Sequence, residues 1–275
     1  MAKAILITGC STGIGYVAAH ALQKKGYQVI ASCRQQADVD RLKQEGLTCI
    51  QLDLADPRSI KLAVQKASAL CEGNLYALFN NGAFGQPGAL EDLPTDALRE
   101  QFEANFFGWH ELTKLVLPIM RNRGEGRIIQ NSSVLGFAAM KYRGAYNASK
   151  FALEGWTDTL RLELHGTNIK VMLIEPGPIE THFRANAKAA FLKWINIESS
   201  PHKVDYHQQL NRLTAEGSNN QFVLPPESCI PPLLDALESK SPKLRYRITT
   251  PTKVFAVLKR MLPGKWLDPI LRKAA

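Results

Sequence analysis

Ala4-Ile5-Leu6-Ile7-Thr8-Gly9-Cys10-Ser11-Thr12-Gly13-Ile14-Gly15 is the stretch on which the fold turns. Four apolar residues read as a buried strand, and the glycines behind them, spaced G-x-x-x-G-x-G, lead into a helix. Glycine lets a chain turn sharply and come close to a ligand, and a helix N-terminus offers free N–H groups to a pyrophosphate. A glycine loop alone is weak evidence, because turns use glycine everywhere. Between the first strand and first helix of a βαβ unit it points to a dinucleotide.

Outward from this loop, short runs apolar on both faces alternate with segments of helical period. Strands are predicted at Ala4–Thr8, Gln28–Cys33, Cys49–Leu52, Ala77–Phe79, Arg127–Asn131 and Lys170–Ile174, with a seventh at Leu244–Ile248. Such runs fit a parallel sheet covered by helices on both sides. One helix opens at Asp56-Pro57, an acidic cap followed by proline at the first helical position. Two more are predicted from about Ala97 to Arg123 and from about Ala145 to Leu164. The fold expected is a doubly wound α/β sheet in one catalytic domain over 1–250. The looser pattern of 180–226 is expected to form a helical substrate lid, and 251–275 a basic amphipathic segment.

The chain has 275 residues, 45% hydrophobic and 21% charged, which suits one large domain with a substantial core. No apolar run reaches the roughly 18 residues of a membrane-spanning helix, and Met1-Ala2-Lys3 leads straight into a strand, with no signal peptide expected. Five cysteines, an odd number without C-x-x-C spacing, suit reduced thiols in a cytoplasm. The net charge of +9 is localised: residues 239–275 hold ten of the 34 basic residues and one of the 25 acids, so the remaining 24 of each sign cancel.

An NAD site usually has an acid about 20 residues beyond the glycines, at the end of the second strand. Here that strand ends Ser32-Cys33-Arg34, and the next acid is Asp38. Arg34 can pair with a 2′-phosphate while Ser11 donates a hydrogen bond, which favours NADP(H); a solvated arginine at a strand end is the competing reading. Asp53, at the end of the third strand, suits either the adenine edge or a helix cap, and Leu54 beside it joins the expected cofactor set. Asn80-Asn81-Gly82-Ala83 ends the fourth strand in small residues.

Tyr146 and Lys150 lie four apart on a predicted helix and share a face. A tyrosine of ordinary pKa, near 10, exchanges protons poorly at neutral pH. A neighbouring ammonium is expected to lower it by roughly one to three units, giving a general acid/base suited to a carbonyl. Ser133, just past the fifth strand, can hold the same oxygen. A Tyr-x-x-x-Lys is more often a surface pair; the glycine loop and Ser133 give this one meaning.

These residues resemble the short-chain dehydrogenase/reductase family over nearly all of residues 3 to 182. Thr8 to Gly15 matches its cofactor loop. Asn105, Ser133, Tyr146 and Lys150 match its catalytic four, and Pro176-Gly177 with Thr181 its nicotinamide border. The resemblance implies that Tyr146 protonates a carbonyl, Lys150 binds the nicotinamide ribose and tunes Tyr146, Ser133 orients the substrate, and Asn105 supports a water relay. It also implies a cofactor site of Gly9, Ser11, Thr12, Gly13, Ile14, Gly15, Arg34, Asp53, Leu54, Asn81, Gly82, Tyr146, Lys150, Pro176, Gly177, Ile179 and Thr181, with no metal. One departure stands out: the family's Asn-Ala-Gly is Asn81-Gly82-Ala83 here, with a Cβ where glycine is usual. Within the family the chain looks like the hydroxysteroid and retinol dehydrogenase branch, close to bacterial NADP-dependent aldehyde reductases, which implies a small lipophilic carbonyl or alcohol as substrate. Family habit implies a homodimer or homotetramer through the 97–123 and 145–164 helices.

Phe84, Phe137, Phe183, Phe191 and Trp194 either border an apolar pocket or belong to the core. His182, His202 and His207 show no metal-ligand spacing. In the tail, Val254, Phe255, Leu258, Met261 and Leu262, then Trp266, Leu267, Ile270 and Leu271, recur at helical spacing among basic residues. Such helices either lie on an anionic membrane or dock across the substrate entrance. No nucleic-acid recognition motif accompanies the basic tail, so no nucleic-acid partner is expected.

Overall fold

A computed structural model of the chain describes residues 2–214 and 221–273. Among these residues the strands are β1 (Ala4–Ile7), β2 (Gln28–Cys33), β3 (Thr48–Gln51), β4 (Leu75–Asn80), β5 (Gly126–Asn131), β6 (Ile169–Glu175) and β7 (Arg245–Arg247). They form one parallel sheet in the order β3-β2-β1-β4-β5-β6-β7. The chain winds outward from β1 through β3 and then crosses back to β4, which also pairs with β1. Ligands of doubly wound sheets sit beyond the carboxyl ends of the strands at such a reversal. The glycine loop after β1 and the Asn81 segment after β4 meet at that point.

Helices α1 (Gly13–Lys24), α2 (Gln36–Gln44), α3 (Pro57–Leu70), α4 (Thr95–Phe102), α5 (Gly108–Arg123), α6 (Gly144–Glu163), α7 (Phe183–Trp194), α8 (Lys203–Thr214), α9 (Ile230–Glu238), α10 (Thr250–Met261) and α11 (Gly264–Lys273) complete the described chain. Ala18, Ala19 and Leu22 of α1 and Leu233, Ala236 and Leu237 of α9 cover one sheet face. Ile60, Ala63 and Val64 of α3, Leu112, Val116 and Met120 of α5, and Leu160 of α6 cover the other. Spacings of three and four residues put each set on one helical stripe. Asp56 caps α3 as expected, its carboxylate accepting the Arg58 N–H at 2.9 Å, with Pro57 at the first turn.

The structure departs from the single helix predicted over 97–123. A π turn at Glu103–Phe107 separates α4 from α5. The extra residue of such a turn re-aims side chains, a device common at functional sites, and here it carries Asn105. Just beyond it a Cβ on Gly108 would collide with the Leu54 carbonyl, so α5 crosses the β3–α3 loop closely.

The 180–226 region holds α7 and α8; its residues 215–220, like 274–275 at the tail, lie outside the described residues. Its Phe191, Ile195 and Tyr206 pack with Ala89 and Tyr142 in a small core. Polar ties fasten it to the loop before α4: the Tyr206 hydroxyl donates to Asp92 at 2.5 Å, and Ser200 Oγ donates to the same oxygen at 2.5 Å. No helix among the described residues is long and apolar enough to cross a membrane.

Two tail arginines are not available as free charge. Arg245 Nε lies 3.2 Å from Glu154 Oε2 and its Nη2 2.7 Å from Asp158 Oδ2; Arg247 Nε lies 3.0 Å from Glu175 Oε2. β7 thus spends part of the tail's charge on body carboxylates, which the division into a neutral body and a basic tail overlooks.

Candidate active site

A cavity of about 1050 Å³ opens over the carboxyl ends of β1, β4, β5 and β6. Of the expected cofactor set, Gly9, Ser11, Thr12, Gly13, Ile14, Asn81, Gly82, Tyr146, Lys150, Pro176, Gly177, Ile179 and Thr181 line it. Gly9 and Gly13 have φ of +70° and +61°, a region glycine occupies freely. A Cβ on Gly13 would come within 2.9 Å of the Thr181 methyl, and one on Gly15 would strike the Gly9 carbonyl. Thr12 at the head of α1 makes no side-chain cap, so the first N–H groups of the helix face the cavity mouth unserved by it. This cradle of glycines over an uncapped helix start fits a dinucleotide pyrophosphate.

Asn81 holds the cradle closed. Its Nδ2 donates to the Thr8 carbonyl at 2.9 Å and the Gly9 carbonyl at 3.2 Å, while Thr8 Oγ1 accepts the N–H groups of Asn81 and Gly82, each at 2.8 Å. The exchange of small residues at Gly82-Ala83 now has a reason. A Cβ on Gly82 would lie 3.1 Å from Gly9 N and 3.2 Å from both Gly9 Cα and Leu54 Cδ1. Ala83 lies outside the left-handed region, so its Cβ introduces no strain there.

Gly15, Arg34, Asp53, Leu54 and Asn105 do not line the cavity. Gly15 and Leu54 shape it from behind. The Asp53 carboxylate accepts the Ala55 N–H at 2.9 Å and serves as a local turn cap. Arg34 is exposed just past β2, and its guanidinium has no hydrogen-bond or ion-pair partner among the described residues. Asn105 is buried with both ends of its amide engaged: Oδ1 accepts the Phe84 N–H at 3.1 Å and Nδ2 donates to the Phe84 carbonyl at 2.8 Å. The side chain expected to support a water relay is thus occupied in fixing the loop after β4.

Ser133, Tyr146 and Lys150 converge on the cavity. Ser133 heads a short turn at Val134–Gly136, its Oγ accepting the Leu135 N–H at 3.1 Å. Tyr146, on the first turn of α6, shows its half-buried ring to the cavity, with the Phe183 ring edge-on at 5.3 Å between centroids. Lys150, one turn on and only 1% exposed, donates from Nζ to the Asn131 carbonyl at 2.7 Å. The same Nζ lies 4.2 Å from the Trp109 ring centroid and 5.7 Å from that of Tyr146.

The electrostatics differ from the expectation of a phenol made acidic by its lysine. Burial pushes Tyr146 up to about 12, against the opposing pull of Ser133 and the Arg143 charge. Burial also pulls Lys150 down to about 7, with the Glu154 carboxylate opposing. With its charge disfavoured and its Nζ turned to Asn131, Lys150 is not what acidifies the phenol in the protein alone; Ser133 and Arg143 are. Glu154 is itself raised to about 7 by burial and by Glu175, so Lys150 sits above a buried acid layer neutralised from β7.

Five contributors escaped the sequence reading. Trp109 donates from Nε1 to the Gly82 carbonyl at 2.9 Å and lays its ring under Lys150; it stands four residues past Asn105 on the same helical run, the signal that could have found it. Asn131 joins Lys150 to Asn81, donating to Asn81 Oδ1 at 2.8 Å. Thr249 and Thr252, buried and 2.9 Å apart, lie beneath Gly177, where a Cβ would strike Thr249. Arg143 lines the cavity three residues before Tyr146. Of the five aromatics singled out, only Phe183 lines it. Among the described residues no group of His, Cys, Asp or Glu is placed to hold a metal.

A doubly wound sheet, a glycine cradle at its reversal point and a Ser-Tyr-Lys group at the cavity floor define a nicotinamide-dependent oxidoreductase. The short chain dehydrogenase profile matches residues 3–190, and the chain belongs to the short-chain dehydrogenase/reductase family, enzymes that act on CH–OH groups. It is 43% identical over 99% of its length to the uncharacterized oxidoreductase YbbO of Escherichia coli strain K12, of which it covers 95%. It is 32% identical over 88% of its length to human retinol dehydrogenase 8, covering 80% of that protein. The crystal structure of a short-chain dehydrogenase from Streptomyces avermitilis superposes with a TM-score of 0.79 at 29% identity, covering 98% of this chain and 93% of the other. Structural neighbours include complexes with NAD and with NADP.

Proposed function

We propose that the chain reduces an apolar aldehyde or ketone with NADPH. The observation that carries the reading is the phenol of Tyr146 lining the cavity beside Ser133, held by burial at a pKa of about 12 and so protonated until strongly basic pH. A bound reduced nicotinamide supplies a hydride to the carbonyl carbon. The Tyr146 phenol then gives its proton to the carbonyl oxygen, Ser133 Oγ holds that oxygen in line, and the Arg143 charge, joined by Lys150 when protonated, favours the phenolate that results. Phe183, Leu135 and Val254 give the cavity apolar walls beside the reacting carbonyl.

The preference for NADP(H) is supported by Arg34, a guanidinium with no partner among the described residues, just past β2 where no acid stands. The five cysteines are free and buried, which suits a reducing cytoplasm. A homodimer or homotetramer through α5 and α6 is supported by Phe107, Phe151 and Leu162, large apolar side chains left exposed on or next to those helices. The tail helices dock: Phe255, Leu258 and Leu271 pack near Val134, Leu135 and Tyr146. Their outer face keeps Met261 74% and Trp266 69% exposed among Lys259, Arg260 and Lys265, which supports peripheral contact with an anionic membrane.

The test is NADPH oxidation with a panel of retinoid, steroid and fatty carbonyls, comparing wild type with Tyr146→Phe and Arg34→Ser. Loss of about 10²–10⁴-fold in turnover for Tyr146→Phe is expected, and a shift of the NADPH/NADH preference toward NADH for Arg34→Ser. Undiminished turnover in Tyr146→Phe would refute the mechanism.

A further inference from the structure

The substrate half of the cavity has an unexpected charge. Beside apolar Leu213, Val254 and Phe255 it is lined by Arg143, Arg184, Arg212 and Lys273, and by no carboxylate among the described residues. Arg143 and Arg212 are the informative pair. The Arg143 guanidinium touches the Met140 sulfur, 3.9 Å from Nη1, and Arg212 Nε donates to neutral Gln209 at 3.2 Å. Neither forms an ion pair among the described residues.

Arg143 is also held where it is. Tyr142, the residue before it, has φ +62°, which a bulky side chain adopts only under constraint. The Gly88 N–H fixes that turn by donating to the Tyr142 carbonyl at 2.9 Å. A partly buried guanidinium without an acid is unfavourable, and gathering others beside it adds repulsion. Burial and the charges of Arg212 and Arg184 all disfavour the charged form of Arg143. Strain that holds beside the phenol a cation with no ion-pair partner among the described residues makes sense when an anion completes the set.

We propose that the substrate carries a carboxylate on an apolar arm, an oxo acid whose carbonyl meets Tyr146 while Arg143 and Arg212 clamp the acid end. Guanidinium groups suit this task, since their planar forks match a carboxylate. The inference rests on the reductase reading above and adds the acid to it. The cations lie apart from the cofactor cradle in sequence and element: Arg143 is the N-cap of α6, Arg212 lies in the last turn of α8, and the glycines belong to the β1–α1 region.

Two matched pairs of probes test it with NADPH: octanal against 8-oxooctanoate, and pentanal against 5-oxopentanoate. Wild type is expected to favour the acid at least tenfold in kcat/KM in one pair, with the preference shrinking as salt rises. Arg212→Gln and Arg143→Met are expected to cut that preference at least tenfold, and Arg143→Lys to restore part of it. Arg143 also acts on Tyr146, so the ratio within a pair is read rather than either rate. Turnover of the aldehydes with no preference for the acids overturns the inference and leaves the reductase intact. If no probe is turned over, the reductase reading falls, and calorimetric binding of octanoate to the NADP⁺-loaded protein decides the site: binding weakened in both variants supports it, and binding absent or unchanged overturns it. Variants that lose affinity for NADPH but not for octanoate would assign the arginines to the cofactor phosphates and overturn it as well.

Discussion

Gly82→Ala restores the residue that the family usually places after the asparagine, and the structure says it should do harm. The new Cβ would meet Gly9 N at 3.1 Å, Gly9 Cα at 3.2 Å and Leu54 Cδ1 at 3.2 Å. Leu54 can turn away, but Gly9 is backbone, pinned by Asn81 Nδ2 on its carbonyl and by its own left-handed φ of +70°. Relief requires the glycine loop to shift by a few tenths of an ångström. Overpacking of this kind costs about 1–3 kcal/mol, and the lower half of that range fits so small a displacement. At roughly 2–4 °C per kcal/mol for a domain near this size, Tm should drop by about 2–8 °C. Because the moved atoms belong to the pyrophosphate cradle, about 1 kcal/mol should also appear as a roughly fivefold rise in KM for NADPH, with kcat less affected. Ala83→Gly should not compensate: position 83 lies outside the left-handed region, so glycine there only adds unfolded-state freedom. The double variant should therefore be less stable than either single one. Thermal unfolding with and without NADPH, together with cofactor KM, gives the answer. A double variant as stable as wild type, or Gly82→Ala with both quantities unchanged, would show that the packing of position 82 against Gly9 does not constrain this loop.

Other outcomes follow from the site and the tail. Since burial holds Tyr146 up to about 12, the proton-donating phenol persists below that pH and the phenolate grows about tenfold per unit toward it. Rate profiles should show alcohol oxidation rising through pH 7–10 while carbonyl reduction suffers no loss of the phenol proton over the same range; oxidation that falls with pH would contradict the assignment. For the tail, Met261→Glu with Trp266→Glu should reduce flotation with anionic vesicles relative to wild type, equal partitioning arguing against membrane contact. Point changes are preferable to cutting at Pro251, because Phe255 lines the cavity and Thr252 is bonded to Thr249 beneath Gly177.

The linear order of residues was enough to place Tyr146 and Lys150 on one helical face and the Gly9-Gly13-Gly15 loop between a strand and a helix, because periodicity and glycine spacing are local properties. The parallel sheet was legible for the same reason: runs such as Ala4–Ile7 and residues 171–174 are apolar on both faces, and only a doubly covered sheet buries both. The absence of an acid after Cys33 is likewise a fact of the chain, and Arg34 stands in its place.

Tertiary structure decided whatever depends on which distant segments touch. Gly82 is glycine because Gly9, 73 residues earlier, passes 3.1 Å from where its Cβ would be. Lys150 faces the Asn131 carbonyl and the Trp109 ring, so its ammonium is desolvated and pulled down to about 7, an effect that no helix spacing discloses. Asn105 was legible as a motif residue, but only the π turn that carries it shows its amide locked onto Phe84. Arg143, Arg184 and Arg212 come from three separate segments, and their charges meet only because α7 and α8 pack over the start of α6. Local sequence sets conformation through short-range sterics and hydrogen bonds, whereas burial, and with it the energy of every charge in the site, is a property of the packed whole.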